Sequence, residues 1–146
     1  MNYVPDTTIK EMFWTGESRL NRMRYFKRCL ALNGFFMLTF FAICIAFMIT
    51  SGFEAVSQEV LLNHPAILMS LAILEVFVAI VGYKLDVRRL KDFGKGKLLA
   101  VISLVCAVIG SAILPVNIIH LAVGLYLLFA PGDNGVNAYG ADPLEN

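Results

Sequence analysis

Lys84-Leu85-Asp86-Val87-Arg88-Arg89-Leu90-Lys91-Asp92-Phe93-Gly94-Lys95-Gly96-Lys97 holds six of the chain's twelve basic residues and separates its apolar segments into two pairs. The other six, Lys10, Arg19, Arg22, Arg24, Lys27 and Arg28, all precede the first apolar run. Long tracts free of Lys and Arg lie on either side of the central stretch. Their length suits a bilayer, where a crossing helix needs about 17–25 residues. Apolar residues make up 58% of the 146 and charged ones 16%, against about 25% charged in ordinary soluble proteins. A length of 146 residues bounds the chain to one domain. A water-soluble core with so little charged surface is excluded, and a net charge of +1 offers no global field for nucleic acid. The expected fold is an all-α integral membrane protein: four transmembrane helices arranged as two hairpins, preceded by a short amphipathic helix at the interface.

The spans are expected at about 29–50, 65–83, 98–114 and 117–130. The first is rich in Phe (Phe35, Phe36, Phe40, Phe41, Phe47), and Pro65 suits the first position of the second helix. Residues 51–64 carry Glu54, Glu59 and His64 without a basic residue, so this loop is expected on the outer face. The second helix continues into the basic stretch, with Asp86–Arg89 and Arg88–Asp92 at pairing distances of three and four residues, and ends at Gly94 and Gly96. Ser103, Ala107 and Ser111 make a small-residue face on the third span, with Cys106 and Gly110 beside it. Pro115-Val116-Asn117 is expected to break the chain between spans three and four. One helix from Leu98 to Ala130 would be ~50 Å long, too much for a single crossing. The fourth span is thin for a ~30 Å core, and a re-entrant segment is the alternative.

Upstream, Thr8-Ile9-Lys10-Glu11 fits a capping box opening a short helix, with Trp14 as an aromatic anchor at the headgroups. The interleaved basic and apolar residues from Ser18 to Arg28 read as a positive-inside anchor, or more sharply as a site for anionic headgroups. Cys29, Cys44 and Cys106 have no metal-type spacing and read as small apolar residues in a helical membrane core. Glu75 is the one formal charge placed near a bilayer midplane, where it costs about 2.5–3.5 kcal/mol if it faces lipid. Helical spacing sets Glu75, Gly82, Asp86 and Arg89 within about 40° of one line. Glu75 is read as a carboxyl bonded to a neighbouring helix through Ser103 or His120, or else as a proton- or ion-responsive group. His120 is read as an interhelical hydrogen-bonding residue. The tail, 131–146, is dense in turn formers and its charges are all acidic; Asp133, Gly135 and Asn137 lack the offsets of a calcium loop.

Three stretches carry a resemblance. Ser18-Arg19-Leu20-Asn21-Arg22-Met23-Arg24-Tyr25 is similar to a Gly-Arg-x-x-Arg-x-x-Tyr/Phe pattern, with Ser18 in place of the glycine. Arg88-Arg89-Leu90-Lys91-Asp92 is similar to Arg-Arg-Leu-His-Asp, with Lys91 in place of the histidine and without the tryptophan that follows. Pro131-Gly132-Asp133-Asn134-Gly135-Val136-Asn137-Ala138-Tyr139-Gly140-Ala141-Asp142-Pro143 matches the third pattern throughout. On these residues the chain resembles the bacterial inner-membrane family called domain of unknown function 805. The resemblance implies a helical bundle in the inner membrane, without an established activity.

All three stretches fall on the expected cytoplasmic side, with the amino terminus and the tail both inside. They are expected to form one polar patch: Arg19, Arg22, Arg88 and Arg89 as cations, Asp92 and Asp142 as acids, Asn137 and Tyr139 as supports. The tail acids are expected to meet Arg88 and Arg89. The function expected is a non-enzymatic interaction or lipid-binding module, with anionic headgroups, a protein partner or a second copy as its partner. The alternative is a small oligomeric transporter or channel using Glu75 and His120. No catalytic residue, cofactor or metal site is expected, for want of metal spacing, a nucleophile with its base, or a phosphate-cradling loop.

Overall fold

A computed structural model of the chain describes residues 6–51, 62–110 and 113–144. Five helices run through them: α1 (Ile9–Phe13), α2 (Arg22–Thr50), α3 (Pro65–Asp92), α4 (Leu98–Gly110) and α5 (Leu114–Phe129). There is no strand among the described residues; Asn137 and Gly140 form an isolated bridge. Most of the expected outer loop, including Glu54 and Glu59, lies outside the described residues, as do Ser111 and Glu145.

Local chemistry sets the helix ends. The Thr8 hydroxyl accepts the Glu11 amide at 3.2 Å, and the Glu11 carboxylate accepts the Thr8 amide at 3.0 Å, which completes the expected capping box. The same carboxylate takes the Thr7 amide at 2.9 Å. These donors, the Thr7 amide foremost, hold the Glu11 carboxyl down from 4.5 to about 2. α2 starts where the Asn21 side-chain oxygen accepts the Arg24 amide at 2.8 Å. α3 closes with paired bonds, Lys95 N–H to Leu90 O at 2.9 Å and Gly94 N–H to Lys91 O at 3.2 Å. Gly94 supplies the left-handed turn this closure needs, with φ 64°.

α2 and α3, with 29 and 28 residues, are long and apolar enough to cross a membrane. Only 11% of the most apolar stretch of each is buried, whereas a core helix of a water-soluble protein would be mostly covered. α4 and α5 are shorter. Their 13 and 16 residues reach ~20 Å and ~24 Å, short of a ~30 Å hydrocarbon core. Among the described residues two helices, rather than the expected four, are long and apolar enough to cross. The expected separation of the third and fourth helices is present but falls earlier: α4 is described to Gly110 and α5 opens at Leu114, with Pro115 in its first turn, where its missing N–H is harmless.

The chain divides into two compact units. One is Ala31–Val78, the apolar lengths of α2 and α3. Inside it Phe35 faces Phe77 with ring centroids 5.9 Å apart, and Phe47 meets His64 at 5.3 Å, so the two helices run antiparallel. The other unit is Met1–Leu30 with Ala79–Asn146. Here α4 and α5 pack against each other. A Cβ on Gly110 would stand 3.0 Å from the Asn117 backbone, so glycine is what lets the two helices meet so closely. The buried face of α4 is Ala100, Ser103, Cys106 and Gly110. The small-residue face thus turns on Ser103, Cys106 and Gly110, and Ala107 is only half-buried.

Candidate functional site

The densest polar structure is built around the carboxy-terminal turns of α3. Successive residues on a helix point about 100° apart, so Arg88 and Arg89 leave α3 in different directions. Each gathers a different part of the chain.

Arg88 holds the amino-terminal segment. Its Nη1 donates to the carbonyls of Glu11 at 2.9 Å and Met12 at 3.2 Å. Its Nη2 donates to the Ser18 hydroxyl at 2.5 Å and to the Asp6 carboxylate at 2.7 Å. Lys91 adds a bond from Nζ to the Gly16 carbonyl at 2.5 Å. The pairing expected between Arg88 and Asp92 is therefore replaced by one with Asp6, more than eighty positions upstream in sequence.

Arg89 holds the carboxy-terminal end of α5. It is fully buried. Nε donates to the Leu127 carbonyl at 2.9 Å, Nη2 to the Ala130 carbonyl at 2.6 Å and Nη1 to the Leu20 carbonyl at 3.3 Å. Nη1 also pairs with the Asp92 carboxylate, and the guanidinium lies 4.4 Å from the Phe93 ring centre. Helix carboxy-terminal carbonyls lack partners within the helix, and one planar cation supplies donors to two of them.

Asp92 ties the halves together. Oδ2 takes Arg89, and Oδ1 takes Arg19 Nε at 3.2 Å. Arg19 then donates to the tail carbonyls of Asp133 and Gly135, each at 2.6 Å, and of Gly140 at 3.2 Å. The Asp92 carbonyl accepts the Asp133 amide at 2.7 Å. Gly132 passes so close that any Cβ would collide with the Asp92 carboxylate.

The tail folds on itself. The Asp142 carboxylate accepts the amides of Gly135 and Leu144, both at 2.8 Å, and these bonds, Leu144 first, hold its carboxyl below the usual range. Asn137 donates to the Lys91 carbonyl at 2.9 Å and accepts the Tyr139 amide at 2.9 Å. Lys91 Nζ stands 5.8 Å from the Tyr139 ring centre.

The structure thus brings together Arg19, Arg88, Arg89, Asp92, Asn137, Tyr139 and Asp142. Arg22 is exposed, and no ion pair among the described residues includes it. Two expectations change. Arg19, Arg88 and Arg89 are at most 3% exposed, so these cations bind the chain's own carbonyls instead of facing outward as a patch. Of the three, Arg19 meets the tail, and it does so through backbone carbonyls rather than the tail's acids, because a guanidinium presents several donors and one tail supplies several oxygens in a row. The carbonyls held by Arg88 and Arg89 lie outside the tail.

A second polar group lies beside the first. Asp86 accepts the Tyr25 hydroxyl at 2.9 Å and the Ser103 hydroxyl at 3.1 Å. Ser103 also bonds His120 Nδ1 at 3.0 Å. His120 has the expected interhelical bond. The acid that Ser103 meets is Asp86, not Glu75; Glu75 is exposed in the apolar unit. A serine between an acid and a histidine differs from a nucleophilic triad, in which the histidine stands between the other two. Among the described residues no cluster of His, Cys, Asp or Glu could hold a metal ion. Sequence spacing does not reveal the tie between Tyr25 and Asp86, sixty-one positions apart; its only signal is a tyrosine close to the basic segment.

Helices without strands among the described residues, two of them of membrane length, and a unit clamped by buried arginines define the class. A family model described as a protein of unknown function (DUF805) matches residues 13–141, and the chain belongs to that family. Neither the curated proteins nor the solved structures contain a match.

Proposed function

We propose that this protein is a non-enzymatic interaction module of the bacterial inner membrane, whose cytoplasmic cap engages anionic lipid headgroups. Four helices enter the bilayer as two hairpins: α2 and α3 cross it, and the shorter α4 and α5 dip into it or cross where it is thin. The short α1 lies at the interface. Both termini are cytoplasmic, on the side marked by the basic stretches. The observation that carries the reading is the convergence of the amino-terminal segment, the end of α3 and the tail on Arg19, Arg88, Arg89 and Asp92. Segments bonded to one another lie on one side of a membrane, and a cap so rich in basic residues belongs where the leaflet is anionic.

The test is extraction into native-lipid nanodiscs with lipid analysis. Anionic lipids enriched over the bulk membrane, and released by salt, are expected. Nanodiscs with bulk composition, or holding a stoichiometric protein partner instead, would reject the lipid reading. A reporter fused after Leu144 is expected to be active only in the cytoplasm.

A second reading rests on Glu75. An exposed carboxyl within an apolar helix favours a contact with another copy over lipid, which an oligomeric transporter or channel would provide. Liposome flux unaltered by Glu75→Gln would remove it.

A further inference from the structure

Arg28 is a buried arginine whose guanidinium is only partly bonded among the described residues. It sits on α2 immediately before the apolar run, and its side chain is 10% exposed. Nη2 pairs with Asp6 Oδ2. Its Nη1 is buried and has no hydrogen-bond partner among the described residues. Arg88 Nη2 reaches the same Asp6 oxygen at 2.7 Å. Two guanidinium groups thus converge on a single carboxylate oxygen. Arg24 stands close by, and Arg24, Arg28 and Arg88 repel one another.

A buried donor without a partner forfeits its solvation, typically about 1–3 kcal/mol and more for a charged group. Such a site has room in its chemistry for one more acceptor. A carboxylate offers two oxygens at one angle, whereas a phosphate offers oxygens in three directions and accepts forked bonds from arginine. A phosphate oxygen in place of Asp6 Oδ2 would serve Arg28 and Arg88, and a second would serve Arg28 Nη1.

We infer that Arg28 and Arg88, with Arg24 beside them, form a binding site for a phosphate-bearing anion, which Asp6 of the chain's own amino-terminal segment fills in its absence. Asp6 is thus a competitor as well as a tether. The inference rests on the lipid reading above for the depth of the site: Arg28 precedes the membrane run, which is the level of headgroup phosphates. The same chemistry would also take free phosphate.

The test is native mass spectrometry of the full chain in neutral micelles, titrated with phosphatidylglycerol, with phosphatidylcholine or with inorganic phosphate. Phosphatidylglycerol is expected to bind in preference to phosphatidylcholine. Arg28→Gln is expected to weaken it about tenfold, the scale of one charge-assisted hydrogen bond. Asp6→Asn removes the competitor and is expected to tighten it. This opposite sign is what a merely structural pair would not produce, and it decides the matter should Arg28→Gln misfold. Inorganic phosphate that binds with the same two responses would make the ligand a free anion; phosphate that fails where phosphatidylglycerol binds would make it a headgroup. Selective lipid binding unmoved by either variant, or weakened by Asp6→Asn, would overturn this site and leave the lipid function standing. No selectivity in the unaltered protein, and no phosphate binding, would overturn both.

Discussion

The unit Ala31–Val78 and the unit that carries the cap use opposite chemistry. In the first, Phe35, Leu38, Phe41, Ile45, Met69, Ile73 and Phe77 are exposed apolar side chains, and Leu38 is 76% exposed. In the second, the largest fully buried side chains are Arg88 and Arg89. One unit turns apolar surface outward and the other turns charge inward, which inverts the usual arrangement in water. The difference teaches where each unit's specificity lies. Exposed apolar rows suit a lipid solvent and ask little of any single residue. Buried cations must each find named acceptors, because a desolvated charge without partners is costly.

Arg89→Ala should break this contrast most. It strands Asp92 and the end carbonyls of α5, and removing one member of a buried pair costs about 3–5 kcal/mol. Thermal unfolding in detergent should fall, and hydrogen exchange should quicken across 131–144 while the amides of 31–47 keep their protection. Equal loss in both units would dissolve the comparison. Ser103→Ala comes next, since it leaves Asp86 and His120 each short of a partner, at about 1–3 kcal/mol. Its effect should appear in the packing of α4 on α5, read by exchange of their amides. Gly94→Ala should cost about 1–2 kcal/mol, for a left-handed residue. The new Cβ would also stand 2.7 Å from the Asp133 carboxylate. The melting temperature should drop less than for Arg89→Ala.

Leu38→Ala sharpens the other side. Its side chain is exposed, so a change within about 0.5 kcal/mol in detergent is expected. A larger loss would mean that this face is covered in the protein as it exists. The smallest effect concerns α1. Glu11 has its carboxyl lowered from 4.5 to about 2, so it stabilises the capped helix above pH 4.5, and that contribution is lost as pH falls toward 2. The Thr7 and Thr8 amides should show it as faster exchange in acid, with the tail unaltered until its own Asp142 is protonated.

Much of this architecture was legible in the residues. Thr8 and Glu11 closed their capping box, α3 ran on past the apolar stretch into the basic one, and Gly94 ended it. These features depend on neighbours within a few positions, and sequence spacing reports them directly. The shortening of α4 and α5 was harder to read, because Pro115 serves equally as a breaker and as a first-turn residue. The gathering of Arg19, Arg89, Asp92 and the tail was legible as a group of polar stretches, but their pairing was not. Spacing placed Arg88 against Asp92, whereas the fold gave Arg88 to Asp6 and Arg89 to Asp92.

By itself, then, the sequence determined a helical fold, the two long apolar helices α2 and α3, and the polar motifs that flank them in the chain. The four spans it called for are two membrane-length helices and two shorter ones among the described residues. Hydropathy and local propensity act over one or two turns and need no fold to be expressed. Only the tertiary structure decided which carbonyl each arginine holds, that the tail docks by its backbone rather than its acids, and that Asp86 rather than Glu75 meets Ser103, which in turn bonds His120. A guanidinium accepts any well-placed oxygen within reach, and that choice is made by whichever segments the fold brings within hydrogen-bonding distance.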